Sequence, residues 1–173
     1  MENVYVWCVA KVRSGSEENI RVQCKEKISP DIILDCYVFY YEEKRHIRGT
    51  WVIQEKVLFP GYVFFVTEEA EKLKEELSHI HGISELLEND GNVVSLAEED
   101  VYFLKMFGGE EQTVVLSEGV IEKSKLRVYA GPLMGKEQYI RKIDRHKRKA
   151  LLEMPIFGKV QKMQVGLEVV SKT

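Results

Sequence analysis

Arg141, Lys142, Arg145, Lys147, Arg148 and Lys149 place six basic side chains within nine positions, with His146 among them. Guanidinium and ammonium groups at that density suit gripping phosphate, and the partner they imply is nucleic acid. Lys123, Lys125 and Arg127 add to the set on an entering strand. Bidentate guanidinium groups can read an RNA backbone or a guanine edge, while RNA shape sets much of the specificity. A second basic group, Lys44, Arg45, His46 and Arg48, falls between two strand-like runs. Gly131-Pro132-Leu133-Met134-Gly135 precedes the larger cluster but serves backbone geometry rather than phosphate. Neither the P-loop Lys-Ser/Thr nor G-x-S-x-G occurs, so no nucleotide-hydrolysing or serine-nucleophile motif is present.

Charge divides the chain. Residues 118–173 carry 13 Lys or Arg against 6 Asp or Glu, whereas residues 1–117 carry 12 against 22. Two modules with different partners are expected, because an acidic surface repels the polyanion that a basic one attracts. Three cysteines, Cys8, Cys24 and Cys36, are odd in number and lack C-x-x-C spacing, which fits buried thiols in a reducing cytoplasm. Zinc on Cys24, Cys36, His79 and His81 is set aside because no pair has the usual ligand spacing. An enzymatic site from Cys8, His46, His79 and His81 is set aside too, leaving no catalytic residue, metal or cofactor expected. No apolar run approaches the ~18 residues needed to cross a bilayer, and no signal peptide opens the chain; a soluble protein is expected.

The elements that position these residues follow from hydrophobic period. Val4–Val12 reads as a buried strand, broken by Ser14-Gly15-Ser16. A helix capped by Ser14 or Ser16 then buries Ile20, Cys24 and Ile28 until Pro30. Cys36–Tyr41 and Thr50–Leu58 read as strands with Lys44–Gly49 as their turn, and Leu58–Val66 as a strand bent at Pro60-Gly61. Ala70, Leu73, Leu77 and Ile80 mark a second helix, Ile83–Leu87 a strand, 89–92 a turn, and Ser95 with Glu98 a capping box opening a third helix. This order predicts an α+β sandwich with an antiparallel sheet, because the connection at 42–50 is hairpin-length.

Gly108–Thr113 lacks apolar periodicity and begins with two glycines, so a flexible linker is expected at 108–117. Domains at 1–107 and 118–173 flank it. In the second, Leu126–Tyr129, Glu137–Ile143, Ala150–Ile156, Val160–Val165 and Glu168–Val170 are short runs punctuated by glycines, which predicts a small five-stranded β-barrel.

Over nearly its whole length the chain resembles the NusG family of transcription elongation factors. The likeness rests on Trp7 with Gly15 and Phe59-Pro60-Gly61-Tyr62-Val63-Phe64 in the first half. In the second half it rests on Gly131–Ala150 and Val165–Val170, which look like a KOW barrel. Ile143-Asp144-Arg145-His146-Lys147-Arg148 is similar to the LoaP-type specialised paralogues, processive antiterminators. His81-Gly82-Ile83-Ser84-Glu85-Leu86-Leu87 departs from the pattern of ordinary members, and no Thr-rich run for a gate-loop contact stands near Ser78–Gly82. The resemblance implies a cytoplasmic, monomeric, non-enzymatic elongation and antitermination factor. Trp7, Phe59, Tyr62 and Phe64 would bind the clamp helices of the largest RNA polymerase subunit. The KOW domain would bind an RNA hairpin of a leader transcript, and Lys44, Arg45, His46 and Arg48 would stand near upstream or non-template DNA. Two alternatives remain: a general NusG whose barrel contacts a ribosomal protein or Rho, and a ribosome-associated KOW module.

Overall fold

The computed structural model describes residues 5–86, 88–89, 92–93 and 95–172, side chains excepted at 84–93 and 172. It is an α+β structure. Two compact units emerge, the first from residues through Val38 with Phe59–Val101, the second from Phe39–Leu58 with Tyr102 onward.

The first unit is built on an antiparallel sheet. β1 (Val6–Val12) pairs on one side with β5 (Tyr62–Thr67) and on the other with β6 (Ile83–Leu86), while β2 (Asp35–Tyr37) adds to β5. Trp7–Ala10 and Val63–Phe65 are buried without alternation. Both faces of the sheet centre are therefore covered, as continuous apolar runs demand. Cross-strand register puts Cys8, Ala10, Val63, Phe65 and Cys36 on one face and Trp7, Val9, Phe64 and Tyr37 on the other. Helices α1 (Glu17–Lys27) and α2 (Ala70–Leu77) contribute Ile20, Cys24, Leu73 and Leu77 to the core.

Local capping differs from expectation in an instructive way. Ser16 is the N-cap of α1, but its hydroxyl donates to the Arg13 carbonyl rather than accepting from the helix. The Glu17 carboxylate, 3 % exposed, accepts instead from the backbone N–H groups of Gly15 and Gly61, both at 3.0 Å. One carboxylate thus ties the helix start to the Pro60-Gly61 bend, where φ of +86° requires glycine. The third helix, α3 (Glu98–Gly108), begins after Ala97; Ser95 bridges to Cys8 instead of capping it. A short pair, β7 (Glu88–Asn89) with β8 (Asn92–Val93), flanks the expected turn, of which Asp90 and Gly91 lie outside the described residues.

The second unit starts where the expected strand 36–41 splits. β3 (Tyr40–Ile47) pairs antiparallel with β4 (Thr50–Val57) around Arg48-Gly49, both at positive φ, a two-residue primed turn whose twist matches the strands. The turn is thus much shorter than Lys44–Gly49, and Lys44, Arg45 and His46 belong to a strand. β9 (Thr113–Val114) runs parallel to Tyr40–Tyr41, so the segment expected as a flexible linker carries a strand.

Five further strands form one sheet in the order β11-β10-β14-β13-β12: β10 (Ser117–Glu122), β11 (Lys125–Ala130), β12 (Ile140–Asp144), β13 (Lys149–Ile156) and β14 (Lys159–Lys172). Five were expected, but not these five. The runs 160–165 and 168–170 are one strand continuing through Gly166, and β10 carries too little apolar alternation to be read from sequence. β14 pairs antiparallel with β13 up to Gly166 and parallel with β10 from Leu167. A 3-10 turn at Glu137–Tyr139 links to the edge strand β11 through Val128 N–H donating to Glu137 Oε1 at 3.2 Å.

Gly166 does not break the strand because its role is close approach. A Cβ there would stand 2.3 Å from the Glu42 carbonyl oxygen and 2.7 Å from a Leu116 methyl. Gly166→Ala therefore forces β3 from β14 and should destabilise the protein by about 1–3 kcal/mol, the usual cost of overpacking. Urea unfolding of the variant checks this, with a shift to a lower midpoint expected.

Candidate nucleic-acid interface

The string Asp144–Lys149 folds as a tight turn between β12 and β13. Asp144 Oδ1 accepts from the Lys147 backbone N–H at 2.9 Å, and that bond holds its carboxyl below the usual range. Arg148 takes a positive φ of 55° to close the turn. Strand alternation would set His146 opposite Lys147 and Lys149, but a turn does not alternate. His146, Lys147 and Lys149 instead line one cavity.

The same cavity, about 280 Å³, is lined from the hairpin by Glu43, Lys44, Arg45, His46, Trp51 and Lys56. The two basic groups read separately in the sequence therefore meet in one place. The pieces are joined by specific contacts. The Arg148 guanidinium lies 3.6 Å from the Trp51 ring centroid, and His46 stacks on Trp51 with centroids 4.9 Å apart. Glu168 takes Arg148 at 3.3 Å and Lys44 at 3.0 Å. Glu43 takes Lys149 at 3.2 Å, with Lys56 at 3.7 Å. Glu42 Oε1 accepts the Leu116 N–H at 2.9 Å.

These contacts sort the cations. Arg148, Lys149 and Lys44 are part-buried and neutralised, whereas Arg145, His146, Lys147 and Arg45 are exposed, and among the described residues no ion pair engages them. Arg141 is partly held by Glu153 at 3.5 Å and by the Gln138 carbonyl at 2.7 Å. Lys142 lines a neighbouring hollow with Asp144, Lys147 and Lys149. Lys123 and Lys125 sit at the tip of the β10–β11 hairpin, and Arg127 faces Glu122 at 3.7 Å. Arg48 occupies the primed turn.

The expected aromatic contact surface is placed differently. Phe59 and Phe64 are 1 % and 0 % exposed and pack edge to face at 5.7 Å, which takes both out of reach of a partner in this structure. Trp7, 8 % exposed, stacks on Tyr37. Tyr62 alone of the four is half-exposed. Burial follows from register: Phe64 lies opposite Val9 and Tyr37 in the middle of a covered face.

Glu43, Trp51, Lys56 and Glu168 were missed in the sequence. Trp51 carried a signal, a large ring placed opposite His46 across the hairpin; the two glutamates carried none.

Cys8 and Cys24 are pushed up to about 11 by burial and Cys36 higher still, so each is a protonated, inert thiol. Cys24 and Cys36 lie in the core while His79 and His81 are exposed, and among the described residues no His/Cys/Asp/Glu group could hold a metal. No described helix is long and apolar enough to cross a membrane.

The first unit carries the four-stranded antiparallel sheet, and the second carries the five-stranded sheet with the cationic turn. A protein-family profile described as transcription termination factor NusG matches residues 5–105, and the chain belongs to the NusG family. Its members are transcription factors, not enzymes. The fold is similar to a solved structure described as domain interaction in Thermotoga maritima NusG. The TM-score is 0.59 and the identity 17 %, over 96 % of this chain and 94 % of that one. No curated protein matches.

Burial also makes a pH prediction. The three thiols are held protonated, and burial pushes Tyr37 and Tyr41 up to about 12. Above pH ~9 the unfolded chain has lost protons that the native state keeps, so stability falls as pH rises from about 9 to 11. Melting temperature across that window checks the sign. Thiol alkylation at pH 8 should label none of the cysteines before unfolding.

Proposed function

We propose that this protein is an RNA polymerase-associated elongation and antitermination factor. Its first domain, 1–107, binds the clamp helices of the largest polymerase subunit, and its second, 118–173, binds an RNA hairpin of a leader transcript. Membership of the NusG family supports the polymerase contact. The observation that carries the RNA contact is the β12–β13 turn, which presents Arg145, His146 and Lys147 to solvent with no ion pair among the described residues.

Tyr62 is the contact residue on the polymerase side, with Trp7 at its rim and Phe59 and Phe64 as the packed layer that orients it. Lys123, Lys125, Arg127, Arg141 and Lys142 add long-range attraction for RNA rather than shape. Of the hairpin set Lys44, Arg45, His46 and Arg48, the three exposed members, Arg45, His46 and Arg48, stand near upstream or non-template DNA, while Lys44 is held by Glu168. Holding the clamp closed by only ~1–2 kcal/mol changes pausing or release several-fold to about thirtyfold, so no chemistry is needed. The LoaP-type specialisation rests on the Ile143–Arg148 string.

A second reading, a general NusG whose second domain contacts Rho or a ribosomal protein, is favoured by one fact: the matching family carries the description of a termination factor. The cationic turn weighs against a basic ribosomal partner.

Tyr62→Ala should weaken co-purification with polymerase about tenfold while leaving RNA affinity unchanged, as loss of an interface aromatic does. Arg145→Ala should do the reverse, weakening a structured leader RNA by several-fold and reducing its salt slope by about one ion. Pull-down on core polymerase and anisotropy at fixed salt measure the two arms. Equal binding of a leader hairpin and its scrambled sequence would remove the RNA-guided reading.

A further inference from the structure

The outer face of β12, β13 and β14 carries a hollow whose chemistry the cationic turn does not account for. Register sets Lys142 opposite Leu151 and Leu151 opposite Gln164, so one row of side chains crosses all three strands. The next row toward the turn is Asp144, Lys149 and Gly166. Alternation sends Ala150, Leu152, Met163 and Val165 to the buried face, which leaves both rows on the outside of the sheet. Lys142, Asp144, Lys147, Lys149, Leu151 and Gln164 line a hollow of about 250 Å³ there.

Three ammonium groups against one carboxylate suit a polyanion. The carboxylate is no obstacle, because Asp144 Oδ1 accepts the Lys147 N–H at 2.9 Å and the charges of Lys147 and Lys142 stand beside it. Two lining groups, however, have nothing to offer a phosphate row. Leu151 is a half-buried apolar side chain in the middle of the open row, and Gln164 presents an exposed amide that no hydrogen bond engages among the described residues. Both suit a base.

We infer that this sheet face binds one unpaired nucleotide of RNA, its base laid against Leu151 with its edge hydrogen-bonded by the Gln164 amide, and its flanking phosphates held by Lys142 and Lys147. The inference deepens the RNA-binding reading above and rests on it. Lys147 belongs both to the exposed turn and to this hollow, so one RNA strand can run from the first onto the second. Lys149 is drawn toward Glu43, which leaves Lys142 and Lys147, both exposed, for phosphate. An amide donates and accepts, so Gln164 meets the edge of any base, and the chemistry selects an unpaired nucleotide rather than one base type. A base inside a duplex offers neither its face nor its Watson–Crick edge; a duplex therefore meets only the lysines. The volume lies below the ~300 Å³ at which pockets for drug-sized ligands begin, which suits one base. Unpaired nucleotides in loops and bulges are the usual targets of sequence-specific RNA recognition, with phosphate contacts setting position.

The test uses the full-length protein and two RNA probes, a stem closed by an oligouridine loop and the same stem as a loopless duplex, compared by anisotropy across a salt series. The stem–loop should bind about tenfold tighter than the duplex, the order expected for one hydrogen bond and one apolar contact. Gln164→Ala should weaken the stem–loop by about three- to tenfold, leave the duplex unchanged, and keep the salt slope, since no charge is removed. Its melting temperature should not move, because Gln164 is exposed. Lys142→Ala should weaken both probes and reduce the salt slope by about one ion. Equal affinity for stem–loop and duplex, or an unchanged stem–loop affinity in the Gln164→Ala variant, would overturn the nucleotide site while leaving RNA binding standing. No binding to either probe or to the leader hairpin would bring down the RNA reading itself. A DNA stem–loop with a thymidine loop that binds as tightly as its RNA counterpart would overturn the assignment to RNA.

Discussion

Two glutamates decide what the basic surface of this protein can do. Glu168 draws in Lys44 and Arg148, and Glu43 draws in Lys149 with Lys56 nearby. Charges brought into a part-buried setting must be compensated, and these pairs supply the compensation while fixing the hairpin against β14 and the β12–β13 turn. The cations they spend on structure are the inner ones. Those that no ion pair engages among the described residues, Arg145, His146, Lys147 and Arg45, are the outer ones.

Close backbone approach makes the pairing geometrically feasible. Gly166 lets the Glu42 carbonyl come within a distance that no side chain allows, so β14 passes beside β3 without bending away. From that approach follow the reach of Lys44 to Glu168 and of Arg148 to Trp51. A residue read in sequence as a strand break is the condition for strand continuity. The first unit uses a carboxylate in a related way, with Glu17 clamping Gly15 and Gly61 to shape the bend before Tyr62.

Much of the fold was legible beforehand because apolar periodicity is local. The buried runs at Trp7–Ala10 and Val63–Phe65, the stripes Ile20/Cys24 and Leu73/Leu77, and the bend at Pro60-Gly61 all follow from short-range pattern. Boundaries were less legible. The basic segment 44–47 looked like a turn because it is polar, yet an exposed antiparallel strand tolerates polar residues on its whole length once the primed turn at Arg48-Gly49 closes it. β10 and the join at Gly166 escaped for the same reason: pairing partners, not their own sequences, make them strands.

The sequence by itself determined the cationic turn, the buried thiols and the family pattern, since these depend on residue type and near-neighbour spacing. Tertiary structure alone decided that Phe59 and Phe64 are core while Tyr62 reaches the surface, because burial depends on what covers a sheet face. It alone brought residues 43–56 beside 146–149, about a hundred positions on. Such a meeting is set by strand register and close packing, and neither leaves a mark in the local order of residues.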